Sequence, residues 1–397
     1  MSETITALSA GKIEFLREYC GSSIYIKRDD LIPFSYGGNK VRIAEELLRD
    51  IREGGYNAVI SYGSPTSNMN RAVADLCRRE GLKCYVIIKP EEEAKSSGPA
   101  EDDTDPEIPQ IPMNERLVLE SGAEVICLHG TSGSEIKAGV DSVLQMSTAR
   151  GERPYYIYGD SSGKGNEAVL MRASYKEYGE ILTYERETLK EAFDAIVLTA
   201  GTGMTISGLA AAMEEAGAGM KTGTNTEVNM NAGRRTALVG ISAARPAEKE
   251  LQVIRENLEI FRSSRNAEKT AGHAGNVQSS QTDAPDADSF QSSQADAPDA
   301  DSFQSSQADA PGADADLPVI LDEYLCGGYG LYSSEIEETI REMKREYDLA
   351  LDPTYTGKSF YGMLKEIEKG HLGGNILFIH TGGYPIYLDW ASERTGS

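Results

Sequence analysis

Seven short apolar runs punctuate the chain: NAVISYG (57–63), KCYVII (83–88), AEVICL (123–128), PYYIYG (154–159), DAIVLTAG (194–201), TALVGISA (236–243) and NILFIHTGG (375–383). They are rich in β-branched and aromatic residues, and Gly, Pro or a polar turn bounds each one. Runs of this length read as strands buried on both faces. Stretches with helical spacing lie between them, such as 67–81. Strands alternating with helices predict an α/β fold of parallel sheets flanked by helices. In such a fold, ligands sit at the carboxyl ends of the strands.

One stretch breaks the pattern. DAPDADSFQSSQA (283–295) recurs unchanged at 296–308 and restarts at 309. Asp, Ala, Ser, Gln and Pro cannot bury enough apolar surface to offset their ordering entropy. Residues 264–316 are therefore expected to be a disordered low-complexity insertion, and 90–112 an acidic, proline-bearing loop.

The length of 397 residues exceeds what one core usually serves, so two lobes are expected. The net charge of −24 argues against nucleic-acid and anionic-membrane partners. It is unevenly spread: 91–107 carry −7 and 283–316 carry −9, which leaves −8 for the rest. No apolar run reaches the roughly 18 residues a membrane span needs, and Met1–Lys12 shows no signal-peptide pattern. The five cysteines lack CxxC spacing. Reduced thiols in a cytoplasmic protein, with no metal site, are the expectation.

Five motifs could carry chemistry. In KRDDLIPFSYGGNKVR (27–42), Gly37 and Gly38 allow a tight turn, and Lys40 opens a helix pattern. Lys40 reads either as a solvated helix-start residue or as an amine for a carbonyl cofactor. In SYGSPTSNMN (61–70), Ser64, Thr66, Ser67 and Asn68 read as helix caps or as a carboxylate cradle. In VLTAGTGMTISG (197–208), Gly201, Thr202, Gly203, Met204 and Thr205 form a turn that could hold a phosphate, although neither a P-loop nor a complete GxGxxG is present. LDPTYTGKSFYGML (351–364) and FIHTGGYP (378–385) read as pocket walls.

GGNK, an SN helix start, GTGMT, DPxYxGK and HTGG in this order resemble the fold-type II pyridoxal-phosphate enzymes. The likeness is to the branch of aminocyclopropane-carboxylate deaminase and D-cysteine desulfhydrase, and it spans Ile24 to Leu388 apart from the insertion. The resemblance implies a two-lobed, tryptophan synthase β-like architecture. Residues 1–55 and 155–397 would form the larger, cofactor-binding lobe, and 56–154 the smaller one. It implies that Lys40 forms a Schiff base with pyridoxal 5′-phosphate and moves the substrate Cα proton. Asn68 would meet the cofactor's 3′-oxygen, and Ser67, Asn68 and the backbone at Met69 would grip the substrate carboxylate. Residues Gly201 to Thr205 would hold the 5′-phosphate, and Tyr329 and Tyr355 would face the substrate. Asn166 would approach the cofactor.

Thr356 takes the place of the deaminase branch's Glu beside the pyridine nitrogen, and Thr381 the place of its Leu. Both departures imply a desulfhydrase-like lyase. It would eliminate a Cβ leaving group from a small amino acid to give pyruvate and ammonia. β-Replacement and ring-opening deamination are the alternatives, and a non-catalytic binder is the reading from another class. A homodimer is implied.

Overall fold

The computed structural model describes residues 11–89, 111–128, 130, 132–217, 236–274 and 317–395. All seven predicted runs form strands. Ala58–Gly63 (β3), Lys83–Ile88 (β4), Glu124–Cys127 (β5) and Pro154–Tyr156 (β6) make a parallel four-stranded sheet in the order β5-β4-β3-β6. Ala195–Ala200 (β7), Ala237–Ser242 (β8) and Asn375–Ile379 (β10) form the middle of a six-stranded sheet. Every residue of β7 and β8 is buried, as strands covered by helices on both faces must be.

Three strands were not foreseen: Lys12–Tyr19 (β1), Ser22–Arg28 (β2) and Val319–Leu321 (β9). They complete the larger sheet in the order β1-β2-β10-β7-β8-β9. β1 and β2 pair antiparallel, which is the exception to an otherwise parallel arrangement. Their two-residue turn has positive φ at both Cys20 (47°) and Gly21 (80°). That is the twist a tight hairpin needs, reached without the usual Asn-Gly signal. β1 also alternates weakly, because it is a charged edge strand.

The helices are Asn39–Gly54 (α1), Asn68–Glu80 (α2), Met113–Glu120 (α3), Gly133–Ala149 (α4), Glu167–Tyr184 (α5), Met204–Glu215 (α6), Ala247–Ala274 (α7), Ser334–Tyr347 (α8), Thr356–Glu368 (α9) and Tyr384–Thr395 (α10). α1 buries Ile43, Leu47 and Ile51 in one cluster with Val59, Val73 and Val86 of the four-stranded sheet and α2. α5 joins the sheets: Val169, Leu170 and Ala173 belong to that cluster, and Met171, Tyr178 and Ile181 to the core of the six-stranded sheet. Among the described residues, no helix is long and apolar enough to cross a membrane.

Residues 264–274, expected to belong to the disordered insertion, are instead helical, because α7 runs through Ala274. The composition boundary marked where polar residues became dense, but a surface helix tolerates such residues on its solvent face. Both copies of the 13-residue repeat lie outside the described residues, as does 90–110 of the acidic loop.

Candidate active site

The carboxyl ends of β3, β6, β7, β8 and β10 converge on one cavity of about 310 Å³, with the first turns of α1, α2 and α6 facing into it. This is where parallel α/β sheets place ligands. Lys40, Ser67, Asn68, Met69, Gly201, Thr202, Gly203, Met204, Thr205, Tyr329 and Tyr355 all line it.

The loop before Lys40 is held by backbone contacts. Gly38 N–H donates to Asp29 O at 2.7 Å and Asn39 N–H to Thr381 O at 3.1 Å. Gly38 has φ 96°, and a Cβ there would lie 2.6 Å from Thr381 O, so only glycine fits. Asn39 Nδ2 donates to Thr205 Oγ1 at 2.9 Å, which ties this loop to the start of α6. Lys40 follows as the second residue of α1. Among the described residues its amine makes no hydrogen bond or ion pair, and burial pulls its pKa down to about 8.

Ser67 caps α2, its Oγ accepting from Asn70 N–H at 3.2 Å. The Asn68 side chain reaches the cavity from the same first turn. The Met69 side chain packs in the core beside Val73 even though the residue touches the cavity. β7 ends at Ala200, and Gly203 (φ 79°) begins α6 with no side-chain cap. The N–H groups of the first turn of α6 therefore have no partner within the helix, and they point where an anion is favoured. Gly208 belongs to packing instead. A Cβ there would meet Ser174 Oγ at 2.1 Å, so its role is the close approach of α5 and α6.

Tyr329 and Tyr355 come from separate segments, and their hydroxyls lie 2.9 Å apart with the rings edge to face. Burial first, then the neighbouring Tyr329, raises the Tyr355 phenol well above its usual value, so it stays protonated. Lys358 positions the Tyr329 loop. Its buried ammonium donates to Leu325 O (2.9 Å), Gly328 O (2.8 Å) and Ala243 O (3.3 Å).

Thr356, expected beside the cofactor, does not line the cavity. It is fully buried, and its Oγ1 donates to Asp352 Oδ2 at 2.7 Å and accepts from Asp352 N–H at 2.8 Å. Asp352 reaches the wall in its place. Its two oxygens also accept the N–H groups of Thr354, Tyr355 and Thr356 at the start of α9, and burial raises its pKa. Asn166 also turns away: its Nδ2 donates to Tyr155 Oη, Tyr156 O and Ile157 O.

Sequence reasoning missed Tyr62, Tyr158 and Arg245 as wall residues. They stand at or just beyond the carboxyl ends of β3, β6 and β8. The rule that ligands bind at strand ends was the signal that could have found them.

An unpaired lysine amine, uncapped helix N–H groups and a hydrogen-bonded tyrosine pair around one cavity fit an enzyme site for a phosphorylated carbonyl cofactor. The family model described as pyridoxal-phosphate dependent enzyme matches residues 11–268, and the chain belongs to that family. It is 26% identical to 1-aminocyclopropane-1-carboxylate deaminase of Mesorhizobium japonicum, over 94% of this chain and 91% of that protein. It is 27% identical to D-cysteine desulfhydrase of Salmonella typhi, over 93% and 89%. A solved homologue of ACC deaminase superposes with a TM-score of 0.65 at 23% identity, covering 100% of this chain and 99% of that one. A hydrogen sulfide-producing enzyme of Fusobacterium nucleatum superposes at 0.53 with 15% identity, over 96% of each chain.

The cofactor is pyridoxal 5′-phosphate, and the donor set fits it: an amine without a partner for the carbonyl and a helix start without a cap for the phosphate. The amine must be neutral to attack a carbonyl. Cofactor capture by the apo-protein should therefore rise with pH and level off above the Lys40 value of about 8. Stopped-flow absorbance after mixing with pyridoxal phosphate checks this. A rate still climbing toward the ordinary lysine range of about 10.4 would contradict it.

Proposed function

We propose that this chain is a lyase acting on a small amino acid with a leaving group at Cβ, releasing pyruvate and ammonia, as a D-cysteine desulfhydrase does. When bound, pyridoxal phosphate supplies an electron sink for charge at the substrate Cα. The observation that carries the reading is that one unpaired amine, Lys40, and a hydrogen-bonded hydroxyl pair, Tyr329 and Tyr355, line a single cavity. Ser67, Asn68 and the N–H groups at the start of α2 hold the substrate carboxylate. Lys40 takes the Cα proton. The Cβ substituent leaves with its bonding electrons and takes a proton from the tyrosine pair. Water then hydrolyses the released aminoacrylate.

Thr356 and Thr381 support elimination over ring opening. Thr356 lacks the charge of the deaminase branch's Glu and its hydroxyl is already engaged with Asp352, and Thr381 stands where that branch has Leu. We read the protein as a cytoplasmic homodimer with lobes at 56–154 and in the remainder, and sedimentation of the purified protein checks the stoichiometry.

The test is release of the 2-oxo acid, pyruvate from D- and L-cysteine and β-chloroalanine and 2-oxobutyrate from 1-aminocyclopropane-1-carboxylate, with and without an added thiol. Pyruvate from the β-substituted amino acids alone is the expected result. Turnover of the cyclopropane alone, or a thiol adduct in place of pyruvate, overturns it.

A further inference from the structure

Arg71 is 1% exposed, yet no carboxylate lies within hydrogen-bonding reach of its guanidinium among the described residues. All its acceptors are neutral. Nε donates to Ser35 Oγ (3.2 Å), Nη1 to Asn68 Oδ1 (2.6 Å) and to Asn114 Oδ1 (2.8 Å), and Nη2 to Gly37 O (3.4 Å). The Tyr36 ring lies 5.8 Å away. Burial pulls its pKa down to about 10, which still leaves it charged at neutral pH. A buried cation with only neutral partners is costly, and an anion brought nearby relieves that cost.

A guanidinium can only donate, so it dictates the polarity of whatever it touches. The Asn68 and Asn114 atoms facing Arg71 must both be carbonyl oxygens. The Asn114 Nδ2 then donates to Thr66 O at 2.7 Å and to Asn68 Oδ1 at 3.1 Å. Two donors thus occupy the Asn68 oxygen, which leaves Nδ2 as the end of the amide that can serve another partner, and Asn68 lines the cavity. The usual ambiguity of an amide is removed by chemistry.

We propose that Arg71, acting with Asn114, is a positioning residue that holds Asn68 as an obligate donor to an anionic oxygen of the cofactor and places a positive charge one amide behind it. This rests on the reading that Asn68 meets the 3′-oxygen. Asn114 follows the acidic loop and lies 43 residues beyond Arg71, so the pairing joins α3 to the start of α2.

The experiment compares the binding of pyridoxal phosphate with that of its 3-deoxy analogue, which lacks that oxygen, by equilibrium dialysis with absorbance detection. In Arg71→Gln, where the amide at position 68 is free to flip, pyridoxal phosphate should bind about tenfold weaker or more, while the analogue is unaffected. Arg71→Lys should restore part of the difference. In an Asn68→Ala background, Arg71→Gln should add no further selective loss. Asn114→Leu, a smaller change, should show the same selectivity and covers the case in which Arg71→Gln does not fold. Equal weakening of both ligands by Arg71→Gln and Asn114→Leu, or no weakening, overturns the proposal. If Asn68→Ala itself fails to discriminate between the two ligands, the reading of Asn68 is what has failed.

Discussion

Lys40→Ala should lose turnover by about 10⁴-fold, together with the visible absorbance of the bound cofactor, while the fold persists. On the proposed reading the substitution removes both the group that anchors the carbonyl and the base that moves the Cα proton, and each alone contributes orders of magnitude. A second readout has the opposite sign. The amine titrates near 8 when folded, below its ordinary 10.5, because burial disfavours its charge. Between those values the unfolded chain binds more protons, so apo-protein stability rises with pH through that window. Below it, the folded protein carries the full penalty. At pH 7, apo Lys40→Ala should therefore melt at the same temperature as the parent or higher. Calorimetry of the cofactor-free proteins checks this, and a lower melting temperature would mean that Lys40 supports the fold. The expected pattern of lost activity with retained or gained stability is the mark of a functional residue in a strained setting.

Gly38→Ala should be nearly as damaging without touching any reactive group. At φ 96° and ψ 170°, with Thr381 O only 2.6 Å from a built Cβ, the backbone must move. A glycine-only conformation costs about 1–3 kcal/mol for another residue. Moving the loop displaces Lys40, two positions on, and a misplacement near 1 Å costs about 10²-fold in rate. The expected result is a comparable fall in kcat/KM with a lowered melting temperature. Gly81→Ala is the control. It has a similar positive φ (68°) at the end of α2 but open space around it, so it should lose some stability and no activity. Equal activity losses at the two positions would show that backbone strain, and not the placement of Lys40, is responsible.

The larger part of the fold was legible because buried parallel strands leave continuous apolar runs that nothing else in the chain resembles. The antiparallel hairpin was not, since β1 is a charged edge strand and its Cys20-Gly21 turn lacks the usual residues. The expected break at residue 264 was set by composition, whereas α7 continues as helix through Ala274. Within the site, Lys40, Asn68 and the 201–205 turn were legible because each joins a glycine or capping residue to a helix start in a few consecutive positions.

Thr356 shows the limit of position as a guide. Its place beside Tyr355 implied a contact with the ring nitrogen, but the hydroxyl donates to the buried Asp352 carboxylate, which also accepts the N–H groups of Thr354, Tyr355 and Thr356. Arg71 looked like an ordinary helix residue, and its partners Ser35 and Asn114 are 36 and 43 residues away. The chain by itself determined which residue types stand at the strand ends and helix starts, because periodicity, glycines and caps act over a few neighbours. Only the tertiary structure decided which of them meet. The strand order β2-β10-β7-β8 brings Lys40, Thr205, Arg245 and Thr381 to one cavity, and Asn114 of α3 joins Arg71 in setting the polarity of the Asn68 amide.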